Sequence, residues 1–323
     1  MRKIQILPAW GRILRGYRPF LSIEITKECP LRCPGCYAYD PGHLGGDTTL
    51  RQLVDCRGEE LVDGVLALVR RYRPLHVTIV GGEPLVRFRE LNALLPKLGQ
   101  MKVEVQLVTS AVRPIPSEWA RLKQLRLVVS VDGLPGEHDV RRAPATYDQI
   151  LRHIDGHQVI VHCTVTRNLL RRPDYLHEFA SFWAPRSEAR TIWFSLFTPQ
   201  EGDDSQERLT MNDRICAVKQ LSALAANFSK VYAPDVLLRG YLHPPATPAE
   251  CVFAQVTACI SADLKRSITP CQLGGKPVCA ECGCIASAGL ASIGQYKIAG
   301  ILPVSKIFSV SSQVGEQWRK RAS

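Results

Sequence analysis

The sequence predicts an α/β fold, a partial (β/α)6 TIM-like barrel with a small cysteine-rich C-terminal extension. Three observations carry this expectation. Residues 20–198 alternate short β-branched or apolar runs with longer helical patterns, the layout of a parallel sheet. The loops that follow the strands are polar or Gly-rich. After about Pro234 the helical periodicity fades, and six of the 12 cysteines fall between Cys251 and Cys284. A length of 323 residues suits a barrel with an appendage. The expected division is an N-terminal extension over 1–19, a barrel over 20–233 and a cysteine-rich region over 234–323.

Taken in order, Ile6, Trp10, Ile13, Leu14 and Tyr17 share one helical face, with Arg12, Arg15 and Arg18 toward the other. This stripe is expected to close the open edge of the barrel; the competing reading is an interfacial helix touching anionic lipid. Leu21 to Thr26 is the first strand. A helix carrying Leu61, Val62, Val65, Leu68 and Val69 then runs up to Pro74. His76 to Val80, Val103 to Thr109, Leu125 to Val131, Val159 to Val165 and Ile192 to Thr198 are the remaining strands. Between them come a helix over Leu91 to Leu98, one starting at Ser117, one with capping-box spacing at Thr146 and Gln149 that Gly156 closes, and a last one before Ile192. In such barrels side chains from several strands converge at the C-terminal strand ends, so reactive groups are expected there.

Composition narrows the function classes. No run of about twenty apolar residues exists, and the N-terminus lacks a secretory pattern, so a cytoplasmic location is expected. A reducing compartment favours metal ligation over disulfides for clustered cysteines. The net charge of +11 is scattered, apart from the ends at Arg2, Lys3, Arg319, Lys320 and Arg321, which read as solvated termini. A diffuse basic surface without an aromatic RNA-binding signature gives no expectation of nucleic acid.

Directly after the first strand stands CPLRCPGCY, with Cys29, Cys33 and Cys36. Three thiolates on one short loop can hold three irons of a cubane cluster and leave the fourth iron open, whereas structural zinc wants four ligands. The CxxxCxxC loop after a first barrel strand resembles the signature of the radical S-adenosylmethionine (SAM) superfamily. The resemblance implies a [4Fe–4S] cluster whose open iron chelates SAM, one-electron cleavage to a 5′-deoxyadenosyl radical, and an electron donor such as flavodoxin or ferredoxin. The family's usual aromatic residue before the third cysteine is Gly35 here, and Tyr37 is expected to pack against adenine in its stead.

Other motifs follow the resemblance. Gly81-Gly82-Glu83-Pro84 after the second strand could be a plain turn, but it is similar to the family's GGE motif, which implies that Glu83 receives the methionine amino group. Thr109 ends the third strand where the family often has Thr-Asn. Ser130 and Asp132, followed by His138, Asp139 and Arg142, are similar to an SxDG…HDxxR stretch, which implies that Ser130 and Asp132 border the ribose and methionyl part of SAM. His138, Asp139 and Arg142 read equally as an ion-pair cluster that shapes the loop.

The second cysteine group resembles a SPASM or twitch domain with one auxiliary [4Fe–4S] cluster, zinc being the competing occupant. By that comparison Cys251 opens a hairpin, Cys271 closes it, and Cys279 with Cys282 or Cys284 completes the set. Arg266 falls where the family's hairpin glycine usually stands. Cys259 is expected to pack, and Cys56, Cys163 and Cys216 to be buried thiols. A peptide or a small metabolite is the expected substrate, although the short stretch before the barrel leaves no room for a separate leader-recognition domain. The alternatives are a basic, zinc-binding, nucleic-acid-interacting protein and a non-catalytic iron–sulfur electron carrier.

Overall fold

A computed structural model describes residues 6–294 and the short stretches 297–298, 302–303, 310–311 and 314–315. The basic ends at Arg2, Lys3, Arg319, Lys320 and Arg321 lie outside the described residues. In chain order the helices are α1 (Ile6–Leu14), α2 (Gly58–Tyr72), α3 (Phe88–Gln100), α4 (Pro135–Arg142), α5 (Tyr147–His153), α6 (Arg167–Leu170), α7 (Tyr175–Trp183), α8 (Met211–Asn227), α9 (Asp235–Leu242), α10 (Val252–Val256) and α11 (Ile285–Gly294). The strands are β1 (Phe20–Glu24), β2 (His76–Val80), β3 (Glu104–Thr109), β4 (Leu125–Ser130), β5 (Val159–Val165), β6 (Ala189–Leu196) and β7 (Thr257–Ile260), with two-residue strands β8 (Lys297–Ile298) and β9 (Leu302–Pro303).

The seven-stranded sheet runs β6-β5-β4-β3-β2-β1-β7 with every neighbouring pair parallel, an open sheet consistent with a partial TIM barrel. Strand alternation sorts its two faces. One face carries Leu21, Ile23, Val77, Ile79, Val105, Leu107, Leu127, Val129, Val161 and Phe194, all in one core with α2 and α3 residues such as Val65 and Leu94. The opposite face is mixed: Ser22, Thr78, Gln106 and Arg126 stand side by side in register, Val108, Val128 and Ile160 form the next row, and Ser130 lies beside His162. A polar row on the sheet face turned away from the α2 and α3 core suits a solvated or ligand-lined interior better than a dry one.

Local sequence explains the element ends. Helix α2 stops at Arg73, which takes a left-handed φ of 48° just before Pro74, where a further helical turn is disfavoured. The expected helix at Ser117 is only a 3-10 turn over Ser117–Arg121, anchored by buried Trp119. Thr146 does N-cap α5, but its side chain makes no capping bond; Asp139 accepts from Tyr147 N at 2.8 Å instead.

Several expectations need correction. Residues beyond Pro234 are not short of helix: Leu237, Leu238 and Tyr241 bury one face of α9, and α10 and α11 follow. The first leg of the expected hairpin is β7, which pairs with β1 and extends the barrel sheet. Its return leg is reduced to a single bridge, Ile260 to Ser267. That turn needs no glycine at Arg266, because Leu264 takes the positive φ (57°) and Asp263 Oδ1 accepts from Lys265 N and Arg266 N at 3.0 and 2.8 Å. On α1 the buried residues are Ala9 and Ile13, while Trp10 and Leu14 of the expected stripe are exposed and Tyr17 is half-buried. Ile13 packs with Val252, Val256 and Leu290 beside the β7 edge. Cys56 and Cys163 are buried, but Cys216 is exposed, because α8 buries Arg214, Ala217, Val218 and Leu221 on its other side.

Candidate functional site

The cysteine loop leaves β1 at Glu24 and is held by polar anchors that no local pattern announces. Thr26 Oγ1 donates to Asp55 at 2.8 Å, Lys27 N to the same carboxylate at 3.1 Å, and Tyr39 OH to Lys27 O at 2.8 Å. Arg87, buried, joins Asp55 at 2.9 Å and Glu28 at 3.0 Å. Cys29, Cys33 and Cys36 are half-buried on this loop, and Cys29 lies within electrostatic reach of both other thiols. Burial pushes Cys29 up to about 11, with Glu83 adding to the rise. Burial also raises Cys33, and Arg142 opposes it.

Gly81 and Gly82 take φ of +85° and +52°. A Cβ on Gly81 would lie 2.2 Å from that of Glu24, and one on Gly82 would lie 2.3 Å from Glu28 O. Both glycines therefore let this turn close on the backbone of the cysteine loop, with Glu83 N donating to Glu28 O at 2.8 Å. Glu83 is only 2% exposed. Its carboxylate accepts from Leu85 N at 2.9 Å, Ser110 N at 2.8 Å, Ser110 Oγ at 2.6 Å and the Thr109 hydroxyl. Pro84, also buried, starts the 3-10 turn that Glu83 caps.

Asp132, just past β4, is a second buried carboxylate. It accepts from Arg142 Nε at 2.7 Å, Arg141 Nε at 3.3 Å and Thr164 N at 3.1 Å. Burial alone would raise its pKa, but the two guanidiniums and the amide hold it well below the usual carboxylate range. Arg141 Nη2 also donates to Pro34 O at 3.1 Å and pairs with Glu207, so α4 grips the cysteine loop from this side. His138 Nδ1 accepts from Asp132 N at 3.0 Å and Asp139 Oδ1 from Tyr147 N at 2.8 Å, so both side chains brace the loop after β4. Ser130 ends β4 beside His162, whose Nε2 lies 2.8 Å from Ser195 Oγ.

Tyr37 stands on the other side of the loop. With Cys33, Cys36, Arg32, Arg51 and Phe197 it lines an open cavity of about 890 Å³. The Phe197 ring lies 3.3 Å from where a Gly35 Cβ would be, so an aromatic ring does border the position before the third cysteine. Burial pushes the Tyr37 hydroxyl far up, with Glu24, Cys36 and Cys284 acting in the same direction. Close by, His43 Nε2 meets Glu24 Oε1 at 2.8 Å and its Nδ1 meets Leu273 O at 3.0 Å, both side chains being buried. Burial works against the charge on His43, but Glu24 more than offsets it and raises its pKa.

Five thiols of the second group, Cys251, Cys271, Cys279, Cys282 and Cys284, line one apolar-walled cavity between the α10 region and the start of α11. Cys259 is buried in a different cluster with Ala38, Leu50 and Ile268. Burial raises Cys271 and Cys282, and pushes Cys284 up to about 12. Cys251 Sγ lies 3.3 Å from Ser287 Oγ, and Gln272 Nε2 donates to Cys284 Sγ at 3.7 Å. The turn is pressed on β6: Gly283 O accepts from Leu196 N at 2.9 Å, and a Gly283 Cβ would lie 2.1 Å from Leu196 O. Among the described residues no three His, Cys, Asp or Glu side chains converge on a point that would hold a single metal ion.

The structure thus gathers Cys29, Cys33 and Cys36 with Glu83, Thr109 and Asp132 at the C-terminal strand ends, and gathers the second thiol group separately. Ser110, Arg141, Asp55, Arg87, Glu24 and His43 escaped sequence reasoning. Adjacency to the Thr109 strand end was the one available signal for Ser110; the others are joined to the site by partners far away in sequence. Both donor sets suit thiolate-bound iron: three thiols on one loop, and five around one cavity.

Residues 23–170 match the model described as Radical SAM superfamily. A 107-residue stretch, 33% of the chain, is 32% identical to 7-carboxy-7-deazaguanine synthase of Hyperthermus butylicus and spans 41% of that protein. Among solved structures, SuiB of Streptococcus suis bound to precursor peptide SuiA superposes with a TM-score of 0.61 at 12% identity, covering 95% of this chain and 74% of that one. Native anSMEcpe with bound AdoMet gives a TM-score of 0.56 at 17% identity, covering 79% and 75%. Among the described residues no helix is long and apolar enough to cross a membrane.

Proposed function

We propose that this protein is a radical SAM enzyme with two iron–sulfur clusters. Cys29, Cys33 and Cys36 hold the first [4Fe–4S] cluster, and Cys251, Cys271 and Cys279, with Cys282 or Cys284, hold one auxiliary [4Fe–4S] cluster. When bound, the first cluster and SAM supply a 5′-deoxyadenosyl radical that abstracts hydrogen from the substrate.

The observation that carries this reading is the interlock of the cysteine loop with the Gly81-Gly82-Glu83 turn and with Asp132, Arg141 and Arg142, inside the segment matched to the family. Glu83 offers a buried carboxylate to the methionine ammonium, braced by Ser110 and Thr109. Ser130 and Asp132 would border the ribose and methionyl part of the cofactor, with the Asp132 carboxylate fixed by Arg141 and Arg142. Tyr37 and Phe197 wall the adjoining cavity on its aromatic side. For the substrate, a peptide is favoured over a small metabolite by the likeness to a fold that takes a precursor peptide in SuiB. The reducing electron comes from a flavodoxin- or ferredoxin-type donor. Residues 23–170 include the first cysteine set, which leaves the zinc-binding, nucleic-acid reading without support.

Anaerobic reconstituted protein with dithionite and SAM is expected to form 5′-deoxyadenosine, and Cys33→Ala to form none. Undiminished product from the variant would refute the assignment.

A further inference from the structure

Arg214, on α8, is buried with 3% of its surface exposed. Its guanidinium donates to three carbonyl oxygens: Nη1 to Tyr241 O at 2.9 Å and Cys282 O at 3.1 Å, and Nη2 to Glu281 O at 2.5 Å. Among the described residues no carboxylate forms an ion pair with it. The Glu281 carboxylate is turned to Arg208, at 2.9 and 2.5 Å. A guanidinium this deeply buried and answered only by carbonyl oxygens has no counter-charge of its own among the described residues.

Two of the three carbonyls belong to the Cys279–Cys284 turn, so this guanidinium both shapes the turn and places a full positive charge behind Cys282. A cluster bound by four thiolates is an anion, and its reduced state is more negative than its oxidised state. A buried cation next to it stabilises the reduced state more and raises the reduction potential.

We infer that Arg214 is the built-in counter-cation of the auxiliary cluster, a positioning residue that fixes the Cys279–Cys284 turn and sets that cluster's potential upward. This inference rests on the proposed auxiliary cluster. Its test uses Cys29→Ala/Cys33→Ala/Cys36→Ala protein, in which only that cluster remains, titrated redox-potentiometrically with EPR detection. Arg214→Gln and Arg214→Met are expected to shift the midpoint to more negative values at about four irons per chain, and Arg214→Lys, which keeps the charge, to restore most of the shift. A merely structural role would lower iron content and leave the midpoint of the loaded fraction where it was, which overturns the inference.

If neither neutral variant folds, the question passes to the auxiliary cluster of the Cys29→Ala/Cys33→Ala/Cys36→Ala protein, with Arg214 in place, labelled with ¹⁵N-arginine. Pulsed EPR is expected to detect a weak ¹⁵N coupling that Arg214→Lys abolishes; a spectrum identical in both overturns the inference. Unmutated protein with only about four irons per chain removes the auxiliary-cluster reading itself, and this inference with it. About eight irons with an insensitive midpoint removes only the role of Arg214.

Discussion

At the residue scale, the site depends on two buried carboxylates with opposite roles. Among the described residues Glu83 is bonded by neutral donors alone, two hydroxyls and two amides, so its charge is free to meet a cation. Asp132 spends its charge on Arg141 and Arg142, which stand against the cysteine loop. Glu83→Gln turns an amide donor toward groups that themselves donate, and is expected to weaken SAM binding at least tenfold and to cost about 1–3 kcal/mol in urea unfolding. Asp132→Asn leaves buried Arg142 without its carboxylate, although Arg141 keeps Glu207, and is expected to cost about 3–5 kcal/mol at neutral pH. The depressed folded pKa of Asp132 fixes the pH dependence. Its contribution is fully present above the ordinary carboxyl value of about 3.9 and is lost as pH falls toward the folded value. Melting curves of wild type and variant should therefore converge only under strongly acidic conditions. A gap that closes near neutrality would assign the effect to another group.

At the element scale, the chemistry sits where strands end and turns press on one another. The Gly82 turn closes on Glu28 O and the Gly283 turn on Leu196 O, so one glycine in each cysteine region permits backbone contact that no Cβ would allow. Gly82→Ala is expected to keep helix content by circular dichroism, to lose more than about 1 kcal/mol of stability and to retain fewer irons on the first loop. Full iron retention would show that the interlock does not position the cysteines. The elements themselves were largely legible. Five of the six expected strands lie within one residue or two of their predicted bounds, because alternating burial leaves a period-2 pattern, and β6 starts three residues earlier than expected, at Ala189. The parallel pairing of β7 was not legible, since a four-residue strand becomes an edge only through contact with β1, far away in sequence. Helix α1 misled for a related reason: its apolar stripe is real, but the space beside β7 takes Ala9 and Ile13 and leaves Trp10 outside. Arg141, Asp55 and His43 carried no motif, and their meaning lies in partners at long sequence separation.

At the scale of the whole molecule, a buried polar bridge joins the first cysteine loop to the second cysteine region. Glu24 ends β1, His43 follows the first cysteine loop, and Leu273 O and Ser261 Oγ approach from the second region, at 3.0 Å from His43 Nδ1 and Glu24 Oε2 respectively. The barrel and the cysteine-rich region therefore share a core rather than a flexible linker. Iron analysis of anaerobically reconstituted protein is expected to give about eight irons per chain, falling to about four in Cys271→Ala. Equal values near four in both would leave the first cluster alone.

The proposed function requires an iron on the loop of Cys29, Cys33 and Cys36 that is open to SAM. EPR of dithionite-reduced protein carrying Cys271→Ala, with and without SAM, tests it most directly. The expected result is a cubane signal that SAM visibly reshapes and that Cys33→Ala removes. A signal indifferent to SAM at saturating concentration, or one that survives in Cys33→Ala, would contradict it.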